Sequence, residues 1–181
     1  MIEVDLQGRG VVAVEFGRMS APLLADDWLI DRSSATATGA AGSTVVTVEL
    51  LRRFGGVAPR ALLGATYTPL GAEASAGVLE VRVPRAATSA GGEITCASRL
   101  WKNPFEVGLP EDFPEGALKG VLSGGAELPA GTLVVDQAGF DEMNSSAFAF
   151  EQAGALLRRV LSASMRGEDV EAVVVRTMQK W

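Results

Sequence analysis

The chain has 181 residues, 48% of them hydrophobic, which suits a single domain spanning 1–181 with ample material for a core. Its 22 acidic and 16 basic residues leave a net charge of −6, the wrong sign for general nucleic-acid binding, because Lys and Arg must displace counterions from phosphates. With no histidine and one cysteine, Ser-His and Cys-His nucleophiles, disulfide frameworks and thiolate zinc sites are excluded.

Met1-Ile2-Glu3-Val4-Asp5 has no basic start and no apolar run behind it. No stretch nears the ~20 apolar residues that span a bilayer. A soluble cytoplasmic protein that does not touch membranes is expected. Ile2, Val4 and Leu6 alternate with acids, Gln7-Gly8-Arg9-Gly10 turns, and Val12, Val14 and Phe16 alternate again. This period of two predicts a hairpin in a sheet with one wet face. Residues Pro22 to Asp31 suggest a short helix. Ser33 to Thr44 carries no charge and no large apolar residue and reads as a loop, as does Ala86 to Gly92. Alternation returns at Val46, Val48 and Leu50 and at Leu79, Val81 and Val83, so antiparallel strands are expected through the first half. Cys96, between strand-like residues, reads as a small buried hydrophobe; only Arg99 nearby could activate it.

An internal repeat is suggested by two ordered sets. Ala61-Leu62-Leu63-Gly64, Gly71-Ala72-Glu73 and Ala76-Gly77-Val78-Leu79 match Ala117-Leu118-Lys119-Gly120, Gly125-Ala126-Glu127 and Ala130-Gly131-Thr132-Leu133. The alternatives are a duplication, with α-β halves at about 44–85 and 94–138, and chance in a chain rich in Ala, Gly, Leu and Val.

The second half reads β-α-β-α-β. Phe105 to Leu109 is a short strand, and Pro110 to Pro114 starts a helix whose first turn tolerates proline and favours carboxylates. Leu133-Val134-Val135 is a buried strand ending at Asp136. A long amphipathic helix runs from Ser145 to about Ser164. Its apolar stripe is Ala149, Phe150, Ala153, Leu156, Leu157, Val160 and Leu161, and its polar face is Glu151, Gln152, Arg158, Arg159 and Ser162. Asn144 or Ser145 is the expected N-cap. Asp141 and Glu142 precede the positive end of this helix, and Arg158 and Arg159 lie toward its negative end. Val170 to Arg176 is expected to be a last strand. Gly139 permits a turn and Gly154 close helix packing.

Asn144-Ser145-Ser146-Ala147-Phe148-Ala149-Phe150-Glu151-Gln152-Ala153 resembles the helix start in the fourth domain of the translocation elongation factors, bacterial elongation factor G and its relatives. That family has an acidic residue, Ser-Ser, two residues, Ala-Phe, two residues and Ala; Asn144 takes the acidic place. Gly139-Phe140, Leu109-Pro110-Glu111-Asp112-Phe113 and Gly131 to Asp136 also resemble it, so the likeness covers roughly residues 105–165. It implies an α/β (α+β) two-layer sandwich with a mixed, mostly antiparallel sheet, helices on one face and a left-handed β-α-β crossover, as in a ribosomal-protein second domain. The crossover would be an exception to the usual right-handed rule. The family's function transfers poorly. No G-x-x-x-x-G-K-[ST] loop exists here, and Asp141-Glu142 stands where the family carries basic residues and a histidine. The formaldehyde-activating enzymes share a comparable fold, but their chemistry is assigned to a histidine that this chain lacks.

The candidate ligand-binding residues are Asp136, Asp141, Glu142, Ser145 and Ser146. The three acids could hold a divalent ion or act as acid and base; otherwise they serve the helix dipole. The serines lack a base close in sequence and are expected to cap. Trp101 and Phe105, around a turn, could form a binding surface, and Trp181 could dock on a partner or sister subunit. The first expectation is a non-catalytic binding or self-assembling module, with a protein partner or a second copy, no cofactor and no metal. The second is a small enzyme using Asp136, Asp141 and Glu142, with a divalent ion or Arg99, in one pocket. The third is a ribosome- or translation-associated factor, which requires a local basic face.

Overall fold

A computed structural model describes residues 1–17, 21–35, 42–53, 55–70, 77–125 and 127–181. In chain order the described elements are β1 (Ile2–Leu6), β2 (Gly10–Phe16), β3 (Leu23–Leu24), β4 (Trp28–Ser34), β5 (Thr44–Arg52), β6 (Arg60–Pro69), β7 (Val78–Pro84), β8 (Ala87–Ser89), β9 (Thr95–Cys96), β10 (Phe105–Leu109), α1 (Pro114–Ser123), β11 (Gly131–Phe140), α2 (Ala147–Arg166) and α3 (Val170–Met178). The period-two segments all became strands, because alternating residues can bury one face of a pleated ribbon; the other face, expected to be wet, is covered as well at Ala13, Thr47 and Glu49, which are buried. None of the described helices is long and apolar enough to cross a membrane.

The strands form one mostly antiparallel sheet in the order β1-β2-β5-β6-β11. β6 lines one edge of β11 along its length. On the other edge β11 changes partner: Gly131 to Val134 pair in parallel with Leu79 to Arg82 of β7, and Gly139 and Phe140 pair antiparallel with Val107 and Glu106 of β10. β4 extends the first limb beyond β7, while β8, β9 and β3 build on β10. A register shift between Val135 and Gln137 marks the change, and Pro22 bridges Gln137 in the gap. β7 and β11 form the parallel pair, and the chain between them runs through β8, β9, β10 and α1.

The three helices cover one face of this sheet, giving an α+β two-layer sandwich. All seven residues of the predicted α2 stripe, from Ala149 to Leu161, are fully buried. They pack with Val12, Val14, Val46, Val48, Leu63 and Leu133 of the sheet. Phe113 stacks on Phe150, with ring centroids 4.9 Å apart.

The structure corrects several expectations. Val170 to Arg176 is not a strand but lies within α3. Asp169 caps that helix through Ala172 N–H, and Val173, Val174, Thr177 and Met178 are buried at helical spacing. Pro22 to Asp31 is not a helix, because Leu23–Leu24 and Trp28–Ser34 pair with β8 and β7. Ser33 and Ser34 end β4 rather than opening a loop, and Ala87–Ser89 is a strand. Residues 36–41 of the expected loop lie outside the described residues. Gln152, Arg158 and Ser162, expected on the polar face of α2, are buried; Arg158 packs under α1, donating to Val121 O at 3.0 Å and Leu122 O at 3.3 Å, and Ser162 donates to Glu127 O in the segment after it. The two suggested repeat units differ in conformation: Ala61 to Gly64 is strand and Ala117 to Gly120 is helix. Residues 71–76 and 126, also used for that match, lie outside the described residues. The later segments of the two units, in β7 and β11, are both strands.

Candidate functional site

Asp141, Asn144, Ser145 and Ser146 form the joint between β11 and α2. Asp141 Oδ1 accepts from Met143 N (3.0 Å) and Asn144 N (3.2 Å). Ser145 Oγ accepts from Asp141 N at 2.9 Å and donates to Arg60 O at 2.7 Å. Ser146, not Asn144 or Ser145, is the N-cap, its Oγ accepting from Ala149 N at 3.2 Å. The reason for the difference is tertiary: the Ser145 hydroxyl is engaged by β6, so the next hydroxyl caps. The Arg60 side chain, only 1% exposed, lies 3.7 Å from the Phe105 ring centroid. It donates to Asn103 O at 3.0 Å and sits 3.4 Å from Asp141 Oδ2. Burial lowers the Arg60 pKa and Asp141 opposes that shift. Ser145 and Asp141 thus hold the turn to β6, and Ser146 caps α2. Glu142 is exposed.

Asp136 does not end its strand; it occupies the register shift inside β11. It accepts from Thr66 Oγ1 at 2.5 Å. Burial raises its pKa above the ordinary carboxylate value, against the hydrogen bond from Thr66. Five residues of strand, roughly 16 Å, separate it from Asp141. Asp136, Asp141 and Glu142 are therefore not brought together, and Arg99 pairs instead with Glu15 at 3.2 Å. No group of three metal-ligating side chains occurs among the described residues.

The other face of the sheet carries a polar cavity that the sequence pattern did not reveal. Its volume is about 310 Å3, and Ala13, Glu15, Thr47, Glu49 and Leu62 of the sheet face Glu93, Thr95, Cys96, Ala97 and Arg99 across it. Glu49 is only 4% exposed. Its carboxylate accepts from the Ser98 hydroxyl, from Arg99 N at 2.7 Å and from Leu100 N at 3.2 Å. Beneath the cavity Thr47 Oγ1 donates to Gln137 Oε1 at 3.1 Å. Glu15 and Glu49 read in the sequence as wet-face residues of alternating strands. What covers Glu49 is a segment almost fifty positions later in the chain.

Cys96 is buried in a second apolar cluster with Ala21, Leu62, Phe105 and Val107. Burial first, then Glu49, pushes its thiol pKa up to about 11, so the thiolate is disfavoured. Phe105 is fully buried, whereas Trp101 (40%) and Ile94 (79%) are exposed on the segment over the cavity. Trp181, expected to seek a partner, packs on its own chain: the Arg52 guanidinium lies 4.9 Å from its ring centroid, and Arg9 donates to its carbonyl at 2.8 Å.

Comparison with protein-family models, with curated proteins and with solved structures finds no match to this chain.

Proposed function

We propose that the chain is a non-catalytic protein-binding module that docks a basic side chain of its partner into the outer-face cavity. The observation that carries this reading is charge and shape together: Glu15, Glu49 and Glu93 outnumber Arg99, which pairs with Glu15, in the lining of a concave site, beside exposed Ile94 and Trp101. Interfaces take most of their binding energy from a few anchors, aromatic residues and Arg above all, seated in pockets. The commitments of Asp141, Ser145 and Ser146 to backbone groups support a non-catalytic role. The separation of Asp136 from Asp141 gives the carboxylate-enzyme reading no support. The likeness of residues 105–165 to the fourth domain of the translocation factors belongs to the same proposal. In it the double serine is an architectural joint, and the acidic Asp141-Glu142 replaces a basic tip.

The test is fluorescence anisotropy with short peptides that place Arg or Lys beside Leu or Phe, against the same peptides carrying Glu. Basic peptides should bind at least tenfold tighter, and Glu93→Lys with Trp101→Ala should abolish the difference. Equal binding of both sets would end the reading. Light scattering separates one further case: a dimer that this double variant dissolves identifies the partner as a second copy.

A further inference from the structure

Opposite the acidic cavity the molecule gathers cations. Arg159, Arg166, Arg176 and Lys180 line one cleft of about 270 Å3 between α2, α3 and Gly125 after α1, with Glu168 as its carboxylate. We propose that this cleft is a binding site for a small phosphate-bearing anion. Three observations support it. First, Arg159, Arg176 and Lys180 have no side-chain hydrogen bond or ion pair among the described residues, in a chain where acids outnumber bases by 22 to 16. Unpaired like charges held together repel one another, and a bound anion relieves that. Helix-dipole compensation explains Arg166 and Arg176, in the last turns of α2 and α3, and Lys180, just past α3, but not Arg159, about two turns before the end of α2.

Second, Arg166 is already oriented. Its Nε lies 3.1 Å from Glu168 Oε1 and its NH2 donates to Ser162 Oγ at 2.7 Å. Ser162 Oγ in turn donates to Glu127 O at 2.8 Å. A guanidinium held this way by Nε and NH2 leaves its NH1 end to donate to phosphate with less ordering cost. Third, Gly125 has φ 66°, and a side chain there would begin 3.5 Å from Arg159 NH2. Glycine thus satisfies the turn and leaves the approach to Arg159 open. The cleft is near the lower end of the ~300–1,000 Å3 typical of small-ligand pockets, which favours a phosphoryl or diphosphoryl group over a larger polymer.

The experiment is isothermal titration calorimetry of the full chain with inorganic pyrophosphate at ionic strength fixed with potassium chloride. Saturable binding is expected, weakened at least tenfold in the double variant Arg159→Gln, Arg176→Gln. Lys180→Gln, outside every helix, should weaken it about threefold and guards against a folding defect in the double variant. Absence of saturable binding, or undiminished binding in a folded variant, overturns the proposal. So does an RNA oligomer that binds where pyrophosphate fails, which would assign the patch to nucleic acid.

Discussion

At Asp136 the balance of burial and hydrogen bonding can be read through pH. Burial raises this carboxyl's pKa in the folded chain, and Thr66 donates to it at 2.5 Å. The folded protein therefore holds the proton more tightly than the unfolded chain. That favourable contribution is complete below the unfolded pKa, near 4, and is lost as pH rises through the folded value. Asp136→Asn keeps an acceptor for the Thr66 hydroxyl and removes the buried charge. It should stabilise the protein by about 1 kcal/mol at pH 7, with the gain shrinking toward pH 3.5. Urea midpoints at several pH values measure this; a gain of the same size at every pH would refute the sign argument. The double-serine joint shows how far single residues could be read from sequence. Asn144, Ser145 and Ser146 are all good N-caps, so local chemistry predicts a capped start there. Only the pull of the Arg60 carbonyl on Ser145 decides which of them caps.

Between elements, the closest approach is α1 on α2. Gly116 and Gly120 of α1 lie against the backbone carbonyls of Ala147 and Glu151, and a Cβ on Gly154 would lie 2.6 Å from Ala117 O. Gly154 was readable as a packing glycine; its partners Gly116 and Gly120 were not, because their spacing of four matters only once α2 is placed beside them. Two effects of opposite sign meet at Gly120→Ala. Helix propensity favours alanine by about 1 kcal/mol, whereas overpacking against an unyielding carbonyl costs about 1–3 kcal/mol or more. The obstacle is backbone rather than a flexible side chain, so packing wins. Urea denaturation should show a net loss of about 1–2 kcal/mol, and a stabilised variant would mean that the helices are farther apart. α3 illustrates the opposite failure of local reading. Val173-Val174-Val175 has the β-branched character of a strand, but Asp169 capping Ala172 and burial against α2 and β1 make it a helix. Propensity was overridden by a cap and a core. The cavity escaped for a similar reason: Glu49 is buried by residues distant in sequence, and no periodicity carries that information.

For the whole molecule, β11 is the member through which both limbs of the sheet are joined. β6 holds one side of it, and β7 and β10 divide the other. The limb toward β2, β5 and β6 is backed by α2, and its strands contribute fully buried Val12, Val14, Val48, Leu50 and Leu63 to the main core. The limb beyond β10 has short strands, Ala87–Ser89, Thr95–Cys96 and Leu23–Leu24, over a small cluster of five buried residues. Opening free energy follows buried apolar contact and ladder length. Native-state hydrogen exchange should therefore find amides of β5, β6, β11 and α2 exchanging only through global unfolding. Those of β3, β8 and β9 should exchange through local openings, at least about tenfold faster. The acidic cavity lies where these two regimes meet, because β2, β5 and β6 form its floor while Glu93 to Arg99, carrying β9, form its cover. A docked basic peptide would tie that cover to the sheet, so it should slow exchange at Thr95 and Cys96 while leaving β5 and β6 unchanged. Uniform protection across both limbs in the free protein would show that the short strands are as firmly held as the long ones. The cover would then be a fixed wall rather than a part that binding can steady.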